Sequence, residues 1–181
     1  MWSSRSFHMR SFLAAALFLA MLIVGCSVLS VTADEADADT YGDYTYTVSD
    51  GKVTITGYSG SGGNITIPSN INGCDVTAIG DYAFTGHGTL REVTIPDTVT
   101  SIGKNAFSNC YYTDYVTYTG ITKVIMGSEV TTIGEGAFYN NYTLTTIDFT
   151  NSNKLITIGV EILGSSCYIR LNLPMVGVST R

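Results

Sequence analysis

From residue 64 onward the chain repeats one alternation of apolar and polar positions. It reads NITIP (64–68), EVTIP (92–96), KVIMG (123–127), TIDFT (146–150) and RLNLP (170–174). Apolar residues at alternate positions predict a short strand with one buried face. The inward pairs are Ile65/Ile67, Val93/Ile95, Val124/Met126, Ile147/Phe149 and Leu171/Leu173. Pro or Gly ends most of these segments, as expected where a ladder stops.

A second segment alternates with the first. Val76–Phe84 (VTAIGDYAF), Val99–Phe107 (VTSIGKNAF) and Val130–Phe138 (VTTIGEGAF) share one pattern, and Leu155–Leu163 (LITIGVEIL) is a degraded copy. Their closing residues lie 23, 31 and 25 positions apart, the middle gap lengthened by an insertion around Tyr111–Tyr118. A unit of this size cannot bury its own apolar face and must stack on its neighbours. The expected fold is therefore a β-rich repeat solenoid of about five rungs over residues 64–181, with the strands aligned into a parallel sheet. Ile-Gly is expected to turn the chain, Gly supplying backbone freedom. Ala-Phe is expected on the opposite arc, with Phe84, Phe107 and Phe138 stacked as an inner spine.

Residues 44–63 follow a different rule. Tyr44–Val48 and Val53–Thr56 alternate, and the Asp50-Gly51 between them signals a hairpin turn. This hairpin is expected to cap the first rung, with Ser59–Gly63 (SGSGG) as a flexible joint.

The pattern I-x-I-P…V-T-x-I-G-x-x-A-F-x-x-C…L resembles the BspA-type leucine-rich repeat of microbial surface proteins. The resemblance covers about Asn64 to Pro174. Cys110 stands where the pattern has Cys, and Cys167 stands there only with one extra spacer residue. The other two units carry Gly86-His87-Gly88 and Asn140-Asn141 in that region, and the last unit loses Ala-Phe. The resemblance implies a right-handed leucine-rich-repeat superhelix. It also implies a non-catalytic adhesion or recognition role at a cell surface, toward a protein or a glycan.

Ahead of the repeats lies a targeting segment. Arg5 and Arg10 precede the apolar run Phe12–Val24, and Val31-Thr32-Ala33 precedes Asp34. Positive front, short apolar run and small residues together predict a secretory signal over residues 1–33. Two other readings stay open. The run reaches Val31 if its serines are tolerated, long enough to stay as a membrane anchor. Ile23-Val24-Gly25-Cys26 also resembles a lipobox, which makes Cys26 a candidate lipidation site. All three place the rest of the chain outside the cytoplasm, with membrane contact only through this segment.

Charge narrows the partners. Of 181 residues, 45% are apolar and 13% are charged. Without residues 1–33 the chain keeps 7 basic against 15 acidic side chains, net −8. Nucleic acid needs clustered positive charge and is not an expected partner. Asp34, Glu35, Asp37, Asp39 and Asp43 crowd residues 34–43, which read as an acidic flexible leader.

Catalytic chemistry is sparse. His87 is the single histidine after residue 33, so a Ser-His-Asp or Cys-His site would have to use it. It sits in Thr85–Thr89, which reads as a solvent-exposed turn. Glu92 and Asp148 share the strand face, but Lys123 lies on the rung between them, so they do not read as a glycosidase pair. Cys74, Cys110 and Cys167 lack zinc spacing and read as small buried residues. No enzyme, metal or cofactor is expected. Asn64 and Asn141 begin N-x-Thr triplets and are candidate N-glycosylation acceptors.

Tyrosine is the stronger signal. Tyr111, Tyr112, Tyr115 and Tyr118 crowd the insertion, and Tyr139 and Tyr142 occupy the corresponding stretch of the next rung. Tyrosines on adjacent loops suit interfaces and sugar rings. The candidate contact surface joins them to the strand face: Glu92, Thr94, Lys123, Thr146, Asp148 and Arg170. The alternative is that the tyrosines cover the insertion's own small core. A second functional expectation is structural. No cap pattern follows Pro174, so an exposed last rung at Leu171 and Leu173 would favour self-association.

Overall fold

The structure, a computed structural model, describes residues 38–113, 118–152, 154, 157–159, 161, 163 and 170–172. In chain order the strands are β1 (Asp39–Tyr41), β2 (Tyr44–Ser49), β3 (Lys52–Tyr58), β4 (Gly63–Thr66), β5 (Asn70–Ile71), β6 (Cys74–Ile79), β7 (Leu90–Thr94) and β8 (Ser101–Ile102). They continue with β9 (Tyr111–Thr113), β10 (Tyr118–Gly120), β11 (Lys123–Ile125), β12 (Thr132–Ile133), β13 (Thr146–Asp148), β14 (Thr157–Ile158) and β15 (Arg170–Asn172).

The alternating segments form one parallel sheet in the order β15-β13-β11-β7-β4, giving a solenoid of about four turns. Register is direct: Lys123 lies beside Glu92 and Thr146, and Thr146 beside Arg170. Val93, Ile95, Val124, Met126, Ile147 and Phe149 are buried as the alternation requires. Ile65, on the end strand, is only partly buried.

The Val-Thr-x-Ile-Gly segments differ from their expectation. They are not turns but a second parallel sheet, β6-β8-β12-β14, continued by β3 and β2. Threonine joins its coils. Thr100 donates both its N–H and its hydroxyl to the Thr77 carbonyl, at 2.8 and 3.1 Å, and Thr131 repeats this on Thr100 at 2.9 and 3.0 Å.

The glycines of Ile-Gly also serve another purpose than the one expected. Gly80, Gly103, Gly134 and Gly159 are not among the positive-φ residues. They stack in a column in which Gly103, Gly134 and Gly159 leave no room for a side chain, and a Cβ on Gly80 would lie 3.0 Å from the Ile55 carbonyl oxygen. A Cβ on Gly103 would lie 2.7 Å from the Gly80 carbonyl carbon, and one on Gly134 2.7 Å from that of Gly103. The left-handed backbone falls two residues later in each unit, at Tyr82 (φ 59°), Asn105 (52°), Gly136 (61°) and Glu161 (53°).

Ala-Phe lies on the arc between the sheets. Phe84 N–H donates to the Ala106 carbonyl and Phe107 N–H to that of Ala137, both at 2.8 Å, so backbones touch there and Ala is the size that fits. The rings stack as expected, Phe84 on Phe107 at 4.7 Å and Phe107 on Phe138 at 5.5 Å.

The hairpin β2–β3 ends this ring column. Tyr58 stacks on Phe84 at 5.3 Å, and Tyr44 meets both rings edge-on or tilted. Burial, with Tyr58 and Asp43 adding, pushes the Tyr44 hydroxyl up to about 12. Toward β4 the Tyr44 hydroxyl donates to the Thr66 carbonyl at 3.4 Å. β3 pairs in parallel with β6, Val53 beside Val76 and Ile55 beside Ile79, with the register shifting by one residue after Val53. The expected leader is also shorter than its charge suggests. Asp39–Tyr41 form β1, paired with β2 opposite Tyr44–Tyr46.

Candidate functional site

The insertion that lengthens the third coil is an antiparallel hairpin, with Tyr111 opposite Gly120, Tyr112 opposite Thr119 and Thr113 opposite Tyr118. Tyr111 and Tyr118 therefore share a face, and Tyr112 points from the other. Tyr142, from the next coil, backs the first face. Its ring lies 4.8 Å from Tyr111 at 80° and 5.8 Å from Tyr118 at 61°. Tyr111 and Tyr118 are 6.4 Å apart. Tyr112 and Tyr118 remain 63% and 59% exposed. Tyr111 and Tyr142 thus build a small aromatic base, and the rings of Tyr112 and Tyr118 meet solvent. Tyr115 lies outside the described residues. Tyr139 is partly buried, and the ring contacts among the described residues do not include it.

The strand face is polar and compensated. Lys123 Nζ lies 3.7 Å from Glu92 Oε1. The Asp148 carboxyl is held below the usual carboxylate range by the Thr150 hydroxyl and N–H, both bound to its Oδ1, with Asn172 and Lys123 adding. A general acid needs the opposite shift. Glu92, Lys123 and Asp148 are brought onto adjacent strands, with Thr94, Thr146 and Arg170 alongside.

The position three residues after each Phe carries a buried ladder that the sequence reading did not identify. It holds His87, Cys110 and Asn141 in successive coils. Asn141 is fully buried. Its Oδ1 accepts the Cys110 N–H at 2.8 Å, and its Nδ2 donates to the carbonyls of Phe107 and Phe138 at 2.7 and 3.0 Å. Asn141 is therefore corrected from a glycosylation candidate to a structural residue, since its amide has no path to a glycan. Asn64 is exposed on β4. Cys110 repeats the Asn141 contact in its own coil, its Sγ 2.9 Å from the Phe84 carbonyl. Burial pushes this free thiol up to about 12. His87 is half-buried rather than out in solvent. Its ring meets Tyr58 at 5.3 Å, and burial lowers its pKa against a backbone hydrogen bond to Tyr58. Cys74 is buried, as expected, and is also disulfide-bonded.

Among the described residues no group of three or more His, Cys, Asp and Glu could hold a metal ion. Among them no helix is long and apolar enough to cross a membrane. The targeting segment with Cys26, and Leu173 of the last rung, lie outside the described residues.

A family model described as the BspA type leucine rich repeat region matches residues 58–174 in 6 copies. The crystal structure of a leucine-rich repeat protein from Bacteroides capillosus ATCC 29799 is 29% identical, with a TM-score of 0.53, covering 67% of this chain and 96% of that one. The leucine-rich repeat protein of T. pallidum is 21% identical, with a TM-score of 0.51, over 76% of this chain and 72% of that one. A leucine rich cell surface protein from Faecalibacterium prausnitzii A2-165 is 28% identical over 71% of this chain and 44% of its own, with a TM-score of 0.45. No curated protein matches the sequence. Repeat spacing, parallel sheets and the matched model agree: the chain belongs to the BspA-type leucine-rich-repeat family.

Proposed function

We propose that this chain is an exported, non-catalytic recognition module that meets a protein or a glycan outside the cell. Its contact surface is the β9–β10 hairpin together with the polar strand face of Glu92, Lys123 and Asp148. The observation that carries the reading is the tyrosine hairpin. Tyr118 stands in water against a base of Tyr111 and Tyr142, and Tyr112 stands in water on the opposite face of the ribbon. Export is supported by the charged front and apolar run of residues 5–24. A binding role fits the repeat family, whose members are generally non-catalytic modules.

The test is binding of the purified, labelled chain to surfaces coated with matrix proteins or with mucin. Saturable binding that falls in a Tyr112→Ser/Tyr118→Ser variant is expected. Absence of binding on both surfaces, or full binding by that variant, would reject the hairpin as the contact site.

A further inference from the structure

We infer that the β9–β10 hairpin binds a neutral carbohydrate, with Tyr112 and Tyr118 each offering its ring to one pyranose. This rests on the recognition reading above and names its ligand class.

The register carries the argument. Tyr112 lies opposite Thr119, and Tyr118 opposite Thr113. Side chains directly opposite in an antiparallel pair stand on the same face about 5 Å apart. Each face of the ribbon therefore sets one exposed aromatic ring beside one hydroxyl-bearing threonine. A pyranose presents the matching arrangement, a patch of C–H groups on one face and hydroxyls around its rim. The electron-rich face of a tyrosine attracts the C–H patch, and hydroxyls meet hydroxyls.

Two further observations favour a sugar over a protein. Protein hot spots gather at the centre of one desolvated patch. Tyr112 and Tyr118 occupy opposite faces of a two-stranded ribbon and cannot enter one flat interface together. Each can hold a separate ring of a branched or folded glycan. The described hairpin residues are also only Tyr, Thr and Gly, and the adjoining Tyr142 and Thr143 add no charge. Arg91, beside the hairpin's root, has its Nη1 engaged by the Gly88 and Leu90 carbonyls at 3.0 and 2.8 Å, and the described hairpin faces, without charge of their own, suit a neutral ligand.

The platform is built in advance. A Cβ on Gly88 would lie 2.6 Å from the Tyr111 carbonyl carbon, so the root of the hairpin sits hard against the preceding coil. Tyr142 props the other face. Tyr118, held against Tyr142 before the ligand arrives, loses little freedom on binding.

The experiment presents the purified chain to an array of neutral hexose- and N-acetylhexosamine-terminated oligosaccharides, with sialylated and sulfated ones as charged counterparts. A neutral oligosaccharide that is retained is then titrated by calorimetry. The expected result is retention of neutral glycans, insensitive to added salt. Tyr112→Ala and Tyr118→Ala should each weaken binding roughly three- to tenfold, the range of one aromatic contact, and Tyr→Phe at either position should keep most of it. Both side chains are exposed, so circular dichroism should show the variants folded. Failure to retain any neutral glycan, or full affinity in the double Ala variant, overturns the inference. The coated-surface assay separates this from the broader reading. If Tyr112→Ser/Tyr118→Ser abolishes surface binding while the array stays silent, recognition stands, its partner is a protein, and the carbohydrate inference fails.

Discussion

The Asn141 side chain closes the gap between two coils by accepting the backbone N–H of Cys110 at 2.8 Å while donating to the Phe107 carbonyl at 2.7 Å. One amide thus satisfies backbone groups that no neighbouring strand reaches. Asn141→Ala would strand a buried donor and at least one acceptor, each costing roughly 1–3 kcal/mol. Chemical denaturation should show a loss of at least about 2 kcal/mol with an unchanged slope. A loss within a few tenths of that for an exposed control such as Thr40→Ala would contradict the ladder.

His87 occupies the same ladder position two coils earlier, and burial holds its pKa below the usual histidine range. The unfolded chain then binds a proton more readily than the folded one. Stability is full above the unfolded pKa of about 6.5 and falls as the pH drops through and below it, down to the depressed folded value. Thermal melts between about pH 7 and 5 should show this decline, and His87→Asn should flatten it. Equal slopes in the two proteins would assign the decline to other groups.

Gly134 tests the glycine column. A methyl group there would meet the Gly103 carbonyl carbon and the Lys104 nitrogen, both at 2.7 Å. Backbone cannot step aside as a flexible side chain can. Gly134→Ala should destabilise by roughly 1–3 kcal/mol, the usual range for overpacking. A neutral effect in urea melts would show that the coils can part at no cost.

Tyr82 should respond in the opposite direction. It holds a left-handed backbone at φ 59° where the equivalent residues are Asn105 and Gly136, and its side chain is largely in solvent. A bulky residue is strained there, and Asn tolerates the region better. Tyr82→Asn should stabilise the protein by up to about 1 kcal/mol, read as a rise in the urea midpoint. A fall would mean that the exposed ring makes contacts worth more than the strain.

Much of this architecture was legible in the residues because it is written several times over. The alternation of Val93/Ile95 and its counterparts names the buried face of each strand. The recurrence of Phe84, Phe107 and Phe138 names the ring column. What escaped the sequence reading depends on contacts between coils. Ile-Gly looks like a turn because a lone glycine signals either free backbone or close approach, and only the stacking of Gly80, Gly103 and Gly134 decides between them. Two-residue strands such as Ser101–Ile102 are too short to show an alternation of their own. Asn141 reads as a sequon until it is placed beside Cys110, although its spacing from Phe138 equals that of Cys110 from Phe107. The insertion tyrosines were visible as a cluster. Their division between the two faces of a ribbon needed the pairing of Tyr112 with Thr119.

The glycine column also bears on how such a chain can lengthen. Each Ile-Gly unit carries the notch into which the next coil's backbone fits, and its own glycine fits the notch before it. A gene segment copied in frame at this spacing therefore brings both halves of the joint with it. Whole coils can be gained or lost without a compensating change elsewhere, and the stretch between column glycines can vary in length, as the spacings of 23, 31 and 25 residues show. The physical constraint on one methyl group thereby falls on the joint of each coil and leaves the rest of the coil free to change.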